Sequence, residues 1–341
     1  MEKANKKRIF ILVGAIVAVV LFCIWYSLFS SAFAIKETTY IYVDKNDNID
    51  SVYAKIDKAA NPSVFIAFKA IGSLLSYDKR VHTGCYAIEP GDGNLAVVRR
   101  LRNRQQAPIH LTIQSVRTMD KLASSLSNKL MMDSVEVLRA LTNNDICQTL
   151  GYDTTTIACL FIPNTYDIYW DISVEHFLER MKKESAHFWT AAKTSKAKAA
   201  GLTQKEVITL ASIVDEETSN NGEKAKIAGM YLNRLKLGMP LQADPTIKFA
   251  LKQFALKRIY NNLLQVKSPY NTYKNIGLPP GPIRIPSVAG IESVLDFVHH
   301  PYLYMCAKED FSGTHNFAVT YAEHLANAAK YTKALNERGI K

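Results

Sequence analysis

Residues Ile9 to Tyr26, IFILVGAIVAVVLFCIWY, run without a charge, and the uncharged stretch continues through SLFSSAFAI to Lys36. At about 1.5 Å of helix per residue, roughly 20 apolar residues match the hydrocarbon core of a bilayer. Lys3, Lys6, Lys7 and Arg8 precede the run, so the positive-inside rule leaves residues 1–8 as a short cytoplasmic tail. Trp25 and Tyr26 fall where an interfacial aromatic belt is expected. A cleavable signal peptide is the rival reading, because Ala32-Phe33-Ala34 has the form of a cleavage site. The run is longer than the usual signal core of about 7–15 residues, which favours a retained single-pass anchor over residues 9–34. No second stretch approaches this length, so the rest is expected to be soluble and outside the cytoplasm.

With 341 residues the chain has room for about two domains. Apolar residues make up 48% and charged residues 21%, which excludes a disordered chain or a disulfide-dense miniprotein. Lys and Arg number 42 against 31 Asp and Glu, a balance of +11 that suits an anionic partner. Placement outside the cytoplasm argues against nucleic acid and leaves lipid headgroups or an acidic polymer. Cys23 lies in the apolar run. Cys85, Cys147, Cys159 and Cys306 form no C-x-x-C pair and have no His at zinc-finger spacing, so neither a metal site nor a cofactor is expected. An oxidising exterior permits a disulfide, with Cys147 and Cys159 the closest pair, and buried free thiols are equally compatible.

Three zones follow the anchor. From Thr38 to Ile113, Tyr40–Val43 and Cys85–Ile88 read as strands and Ile49–Ile56 and Pro62–Leu75 as helices. A turn cluster, Glu89-Pro90-Gly91-Asp92-Gly93, then leads into a helix from Leu95 to Asn103. The strand–helix–helix–strand order suggests a small α+β module of the carbohydrate-binding type. Arg99, Arg100, Arg102 and Arg104 fit an anionic polymer or, more simply, a solvated helix face. From His110 to Lys198, Thr112-Ile113 reads as an edge strand, Met119–Leu130 and Val135–Thr142 as helices, and Phe161–Tyr166 as a loop or strand. One long helix is expected from Val174, with an exposed tail over Lys193–Ala200.

The third zone carries the chemistry. Thr203-Gln204-Lys205-Glu206 is a capping box, and the helix it opens places Val207, Leu210, Val214 and Glu217 on one stripe. Glu217 therefore stands where the next core residue belongs, while Asp215 and Glu216 are rotated away. A carboxyl at the end of an apolar stripe is desolvated, and its raised pKa suits a general acid. A second helix over Gly222–Lys236 stops at Gly238, and Asp244 reads as an N-cap with Pro245 at the first helical position. The Pro- and Gly-rich stretch Ser268–Ile283 is stiff enough for a cleft wall. Tyr302 and Tyr304 alternate in an expected strand and read as core, and Arg234 is expected either to pair with a helix carboxylate or to touch a substrate. Three consecutive helical acids point about 100° apart, which disfavours a metal site built on Asp215, Glu216 and Glu217.

The series LASIVDEET (Leu210–Thr218), YLNRLKLGMPLQADPT (Tyr231–Thr246), SPYNTYKNIGLPPGPI (Ser268–Ile283) and YLYMCAK with HNFAVTYAEH (Tyr302–His324) resembles the endolytic murein transglycosylases of the YceG-like family. LPPGPI after NTY is the most specific part. Upstream, GCYAIEPGDGNLAVVRRLRN resembles the family's LysM-like module more weakly. The resemblance implies an α+β protein with an N-terminal transmembrane helix at 9–34, a LysM-like module at 38–113 and a larger mixed α/β catalytic domain at 114–341, its specific motifs at 203–324. It implies a location in the bacterial inner membrane, with the catalytic domain in the periplasm.

The implied activity is cleavage of nascent peptidoglycan glycan strands between N-acetylmuramic acid and N-acetylglucosamine, leaving 1,6-anhydro ends. The implied protein partners are peptidoglycan polymerases of the penicillin-binding class. The family's I-V-E-x-E-T type of motif agrees with the stripe on Glu217 as the catalytic residue, and the first acidic position of the motif is Asp215 here in place of Glu. For substrate binding, Gln242 and Asn271 are expected at N-acetyl groups and Tyr273 on a sugar face. Asp244 is expected either to orient Gln242 or Thr246 or to cap its helix, and His315 either to line the cleft or to serve as a structural His. Two other readings stay open at this point: a muramidase-type hydrolase using Glu217 with Asp244 or Asp215, and a non-enzymatic peptidoglycan-binding scaffold.

Overall fold

A computed structural model describes residues 2–58, 62–256 and 258–339; residues 59–61 of the expected LysM-like module and 340–341 at the end of the expected catalytic domain lie outside them. The fold is α+β, and the chain divides into two compact units. The first comprises Met1–Leu111, Lys129–Met131 and Tyr166–Ile172; the second comprises Thr112–Asn128, Met132–Thr165 and Ser173–Lys341.

The first unit opens with helix α1 (Glu2–Phe29), of which Lys6–Phe29 has a mean hydropathy of 2.9 and is long and apolar enough to cross a membrane. Strand β1 (Thr39–Val43) pairs antiparallel with β2 (Gly84–Ile88), with Ile41 opposite Tyr86 and Tyr42 opposite Cys85. Between them lie α2 (Ile49–Asp57), opened by an Asn48–Ser51 capping box, and α3 (Pro62–Leu74); α4 (Asn94–Arg102) follows β2. Their inward faces bury Val43, Val52, Ile56, Phe68, Ile88, Val98 and Leu101 in one cluster. Two of the arginines on and after α4 are paired, Arg100 with Asp92 and Arg104 with Asp171, so this face is partly neutralised.

Strand β3 (Ile109–Ile113) pairs with β4 (Asn164–Ile168). In the second unit α5 (Met119–Ser127) ends three residues before Leu130, and α6 (Ser134–Thr142) is followed by a further helix, α7 (Asn144–Leu150). The long helix expected from Val174 is two: α8 (Val174–Phe188) and α9 (Ala191–Ala199). Thr190 is extended and its hydroxyl caps the amide of Lys193, a local bond that competes with helix continuation. The Lys-rich tail is less free than expected, since Lys193 pairs with Glu292 and Lys196 with Asp296.

Helix α10 (Gln204–Glu217) has the Thr203–Glu206 capping box that its sequence announces. Residues Val207–Val214 of α10 are buried, and the helix packs against α11 (Asn221–Lys236) and α13 (Val288–Leu295) around Leu210, Val214, Ile227, Tyr231, Ile291 and Val294. A hairpin of β5 (Tyr304–Ala307) and β6 (His315–Ala318) precedes α14 (Tyr321–Glu337). Cys85, Cys147, Cys159 and Cys306 are all free thiols, the first three buried.

Candidate active site

The apolar stripe of α10 delivers Glu217 to the last position of the helix, at a cleft of about 280 Å³. Its neighbours in sequence have other fates. Asp215 is buried against Lys224 at 2.7 Å and accepts from the Ser287 hydroxyl and amide. Glu216 is chelated by Arg117 through Nε and Nη2 at 2.6 and 2.8 Å and by Arg284 Nη1 at 3.0 Å. Both are spent on cations, and only Glu217 is left to the cleft.

The Tyr231 hydroxyl, from α11, donates to Glu217 Oε1 at 2.6 Å. Burial pushes the Glu217 carboxyl up to about 7; the Tyr231 bond pulls the other way and the nearby Asp244 charge adds to the rise. Burial and Glu217 likewise push the Tyr231 phenol well above its usual value, so it remains a donor. The result is a carboxyl poised to hold or release a proton near neutrality, as a group that gives a proton and takes one back must be.

The wall opposite is built by Asn271-Thr272-Tyr273, with a separate task for each residue. Asn271 is fully buried: its Nδ2 donates to the carbonyls of Leu264 and Val266 at 2.9 Å, and its Oδ1 accepts from the Tyr273 amide. It therefore shapes the loop and is not brought to the cleft. The carbonyl of Thr272 accepts from the Gln242 amide at 3.0 Å, and its hydroxyl accepts from the Ala243 amide. The Tyr273 hydroxyl donates to Asp244 Oδ1 at 2.5 Å, and both residues line the cleft.

Helix α12 (Asp244–Ala250) starts one residue earlier than expected: Asp244 is its first residue, Pro245 follows, and the N-cap is Ala243 with no side-chain cap. The carboxylate of Asp244 is committed to Tyr273 and does not cap the helix. Gln242 is exposed at the cleft with φ of 53°, a left-handed conformation that costs a non-glycine residue about 1 kcal/mol or more. Arg234 helps to hold it there. This buried guanidinium donates to the carbonyls of Leu303, Pro240 and Leu241 and, at 3.3 Å, to Gln242 Oε1. The partners of Arg234 are thus chiefly backbone carbonyls, in place of the expected carboxylate.

His315 pairs with Glu223 at 3.1 Å and is not among the residues lining the cleft. Tyr304 departs from the core role expected for it, lining the cleft with Arg234 over its ring at 5.2 Å and His324 stacked on it at 5.5 Å. Burial and the Arg234 charge lower the pKa of His324, which favours the neutral ring. Tyr231, Tyr304, Tyr321 and His324 all line the cleft without having been singled out as site residues. A tyrosine one turn before Arg234 on α11 was the one available signal, since its hydroxyl needs a polar partner when buried.

The cleft thus combines one carboxyl raised towards neutrality, a tyrosine donor on it and further aromatic walls. The profile of the YceG-like family matches residues 41–330, and the chain belongs to that family. It is 36% identical over 168 residues to the endolytic murein transglycosylase of Bacillus subtilis strain 168, covering 49% of this chain and 46% of that protein. With the endolytic murein transglycosylase of Streptococcus pneumoniae strain D39 it shares 31% identity over 180 residues, 50% of this chain and 32% of that protein. The chain thus matches less than half the length of these relatives. A crystal structure of a YceG-like protein from Listeria monocytogenes superposes with a TM-score of 0.55 at 25% identity, covering 86% of this chain and 99% of that one.

Proposed function

We propose that this protein is an endolytic lytic transglycosylase, a lyase that cuts peptidoglycan glycan strands between N-acetylmuramic acid and N-acetylglucosamine and leaves a 1,6-anhydro end. The observation that carries this reading is the Glu217 carboxyl, lifted to about 7 under the Tyr231 hydroxyl at the cleft. In the first half of the reaction, protonated Glu217 gives its proton to the bridging oxygen as that oxygen's bond to the anomeric carbon breaks. In the second, the C6 hydroxyl of the same muramic residue bonds to that carbon and its proton passes to the Glu217 carboxylate. The enzyme ends as it began, and no water is consumed. Ordinary glycosidases need two carboxyl groups because water must enter or a glycosyl ester must form. Here one is sufficient.

Around Glu217, Gln242 meets an N-acetyl group and Tyr273, oriented by Asp244, packs on a sugar face. The apolar Lys6–Phe29 helix anchors the chain in the inner membrane with the cleft on the periplasmic side, and residues 38–113 act as a LysM-like glycan module. Peptidoglycan polymerases of the penicillin-binding class are the protein partners that the family suggests.

Mass spectrometry of products from purified glycan strands, comparing wild type with Glu217→Gln, tests the reading. Ends lighter by one water in wild type and absent in the variant are the expected outcome. Hydrated reducing ends would move Asp244 into the role of a second carboxylate. No cleavage by folded wild type would leave a binding scaffold.

A further inference from the structure

A second cavity of about 240 Å³ lies at the other end of α12 and has no part in the chemistry above. Its apolar wall is aromatic: Phe249 packs at 4.7 Å from Tyr270 and 6.3 Å from Phe254, and Arg117 lies over the Phe254 ring at 5.7 Å. Its polar wall is mostly cationic, with Arg117, Arg284 and Lys252 set against Asp120. Glu216 takes Nε and Nη2 of Arg117, leaving its Nη1, while Arg284 is held by Glu216 at Nη1 and by Ser115 at Nε and Nη2. Lys252 has no ion-pair partner among the described residues.

The backbone under Lys252 is unusual. Its φ is 54°, and it occupies the left-handed position just past α12, where its amide donates to the Phe249 carbonyl at 3.0 Å and the next amide, of Gln253, to Lys248 at 2.9 Å. Glycine is the residue that closes a helix in this way most cheaply. A lysine there runs against the local preference and presents an exposed ammonium at the rim of the cavity.

Asp244 at the start of α12 lines the Glu217 cleft, and Phe249, five residues on, lines this cavity. That is about 7–8 Å of helix, so the two sites are close enough for one substrate to reach both. The geometry points to the cavity as a subsite for the acidic peptide stem of the strand cut at Glu217: Lys252 and Arg117 receive a stem carboxylate, and Phe249, Phe254 and Tyr270 cover its aliphatic part. This inference rests on the proposed transglycosylase reading and names the part of the substrate that the second cavity takes.

Lys252→Gly tests it, because the variant removes the ammonium while relaxing the backbone, and Lys252→Glu reverses the charge as a second variant. Full-length protein in detergent is assayed on two strands, one carrying its peptides and one stripped of them by an amidase. A KM raised about five- to tenfold on the peptide-bearing strand, and unchanged on the stripped strand, is expected, as for loss of one charge-assisted contact. Equal changes on both strands, or none on either, would overturn the subsite. A direct readout separates this from failure of the parent reading: binding of a disaccharide–tripeptide to the Glu217→Gln protein should weaken by the same factor with Lys252→Gly, whether or not wild type cuts either strand. Unchanged binding there would sink the subsite even where cleavage is intact.

Discussion

The Tyr231 hydroxyl lies 2.6 Å from Glu217 Oε1, and the two residues come from different helices, α11 and α10. The bond favours the carboxylate, whereas burial favours the acid, and burial wins. Tyr231→Phe removes the opposing influence, so the Glu217 pKa should rise further. The activity of a general acid is full below its pKa and falls as the pH passes it. In the variant this alkaline limb should move up by about 0.5–1 unit, with a plateau lowered no more than about tenfold. A pH–rate profile of both proteins checks it, and a limb that stays in place would mean that Glu217 is not the group being titrated.

Glu217 also sets a pH dependence of stability. Its carboxyl has a folded pKa of about 7 against 4.5 for an ordinary glutamate, so the folded state holds this proton more tightly than the unfolded chain. The stability it contributes is fully present below about 4.5 and is lost as the pH rises from there through 7. Glu217→Gln cannot lose a proton and escapes that decline. The variant should be more stable than wild type at pH 8 by about 1–3 kcal/mol, with the advantage shrinking towards pH 5. Urea titrations at the two pH values measure it.

Asp244 and Tyr273 act as one unit through their 2.5 Å bond. Tyr273→Phe and Asp244→Asn should each lower kcat/KM by about tenfold, and the double variant should be little worse than either single one. The products should keep their anhydro ends in all three. Independent, multiplying losses would separate the two residues, and hydrated ends lost with Asp244→Asn would make it a second carboxylate.

How far this site could be read in the sequence depends on the type of information. The α10 stripe is periodic, so the capping box at Thr203–Glu206, the buried Val207, Leu210 and Val214, and the position of Glu217 after them are all legible. Asn271 was not: a loop amide looks the same whether it meets a ligand or the carbonyls of Leu264 and Val266, and only the path of the chain decides. The same holds for His315, whose partner Glu223 is 92 residues away. Tyr304 was misread because alternation says which side chains share a face, not whether that face meets a core or a cleft. The break between α8 and α9 rests on one threonine whose hydroxyl serves a cap, a choice that Lys- and Ala-rich flanks conceal.

A rigid proline–glycine wall makes a stability prediction at Gly281. A Cβ added there would stand 2.0 Å from the Thr155 carbonyl oxygen, part of the backbone and unable to swing away. Gly281→Ala should cost about 2–4 kcal/mol by thermal or chemical melting, against a few tenths for Gly277→Ser, whose Cβ meets nothing, plus the strain of its φ of 91°. Equal losses at the two sites would remove close packing as the reason for glycine in this loop.

Asp215 is packed tightly against α13, which can be tested in the same way. Its carboxylate atoms lie 2.5–2.9 Å from where a Cβ on Gly290 would stand, and they are held by Lys224 and Ser287. One more methylene would drive the carboxylate into α13, so Asp215→Glu should destabilise by about 1–3 kcal/mol. Asp215→Asn keeps the shape but leaves the Lys224 ammonium, whose side chain is 7% exposed, without its counter-charge. Its cost should be larger, about 3–5 kcal/mol. For both variants kcat per folded molecule should stay within about twofold of wild type, because Asp215 faces Lys224 and Ser287 and has no place among the residues lining the Glu217 cleft. A collapse of kcat in a fully folded Asp215→Asn protein would bring Asp215 into the chemistry.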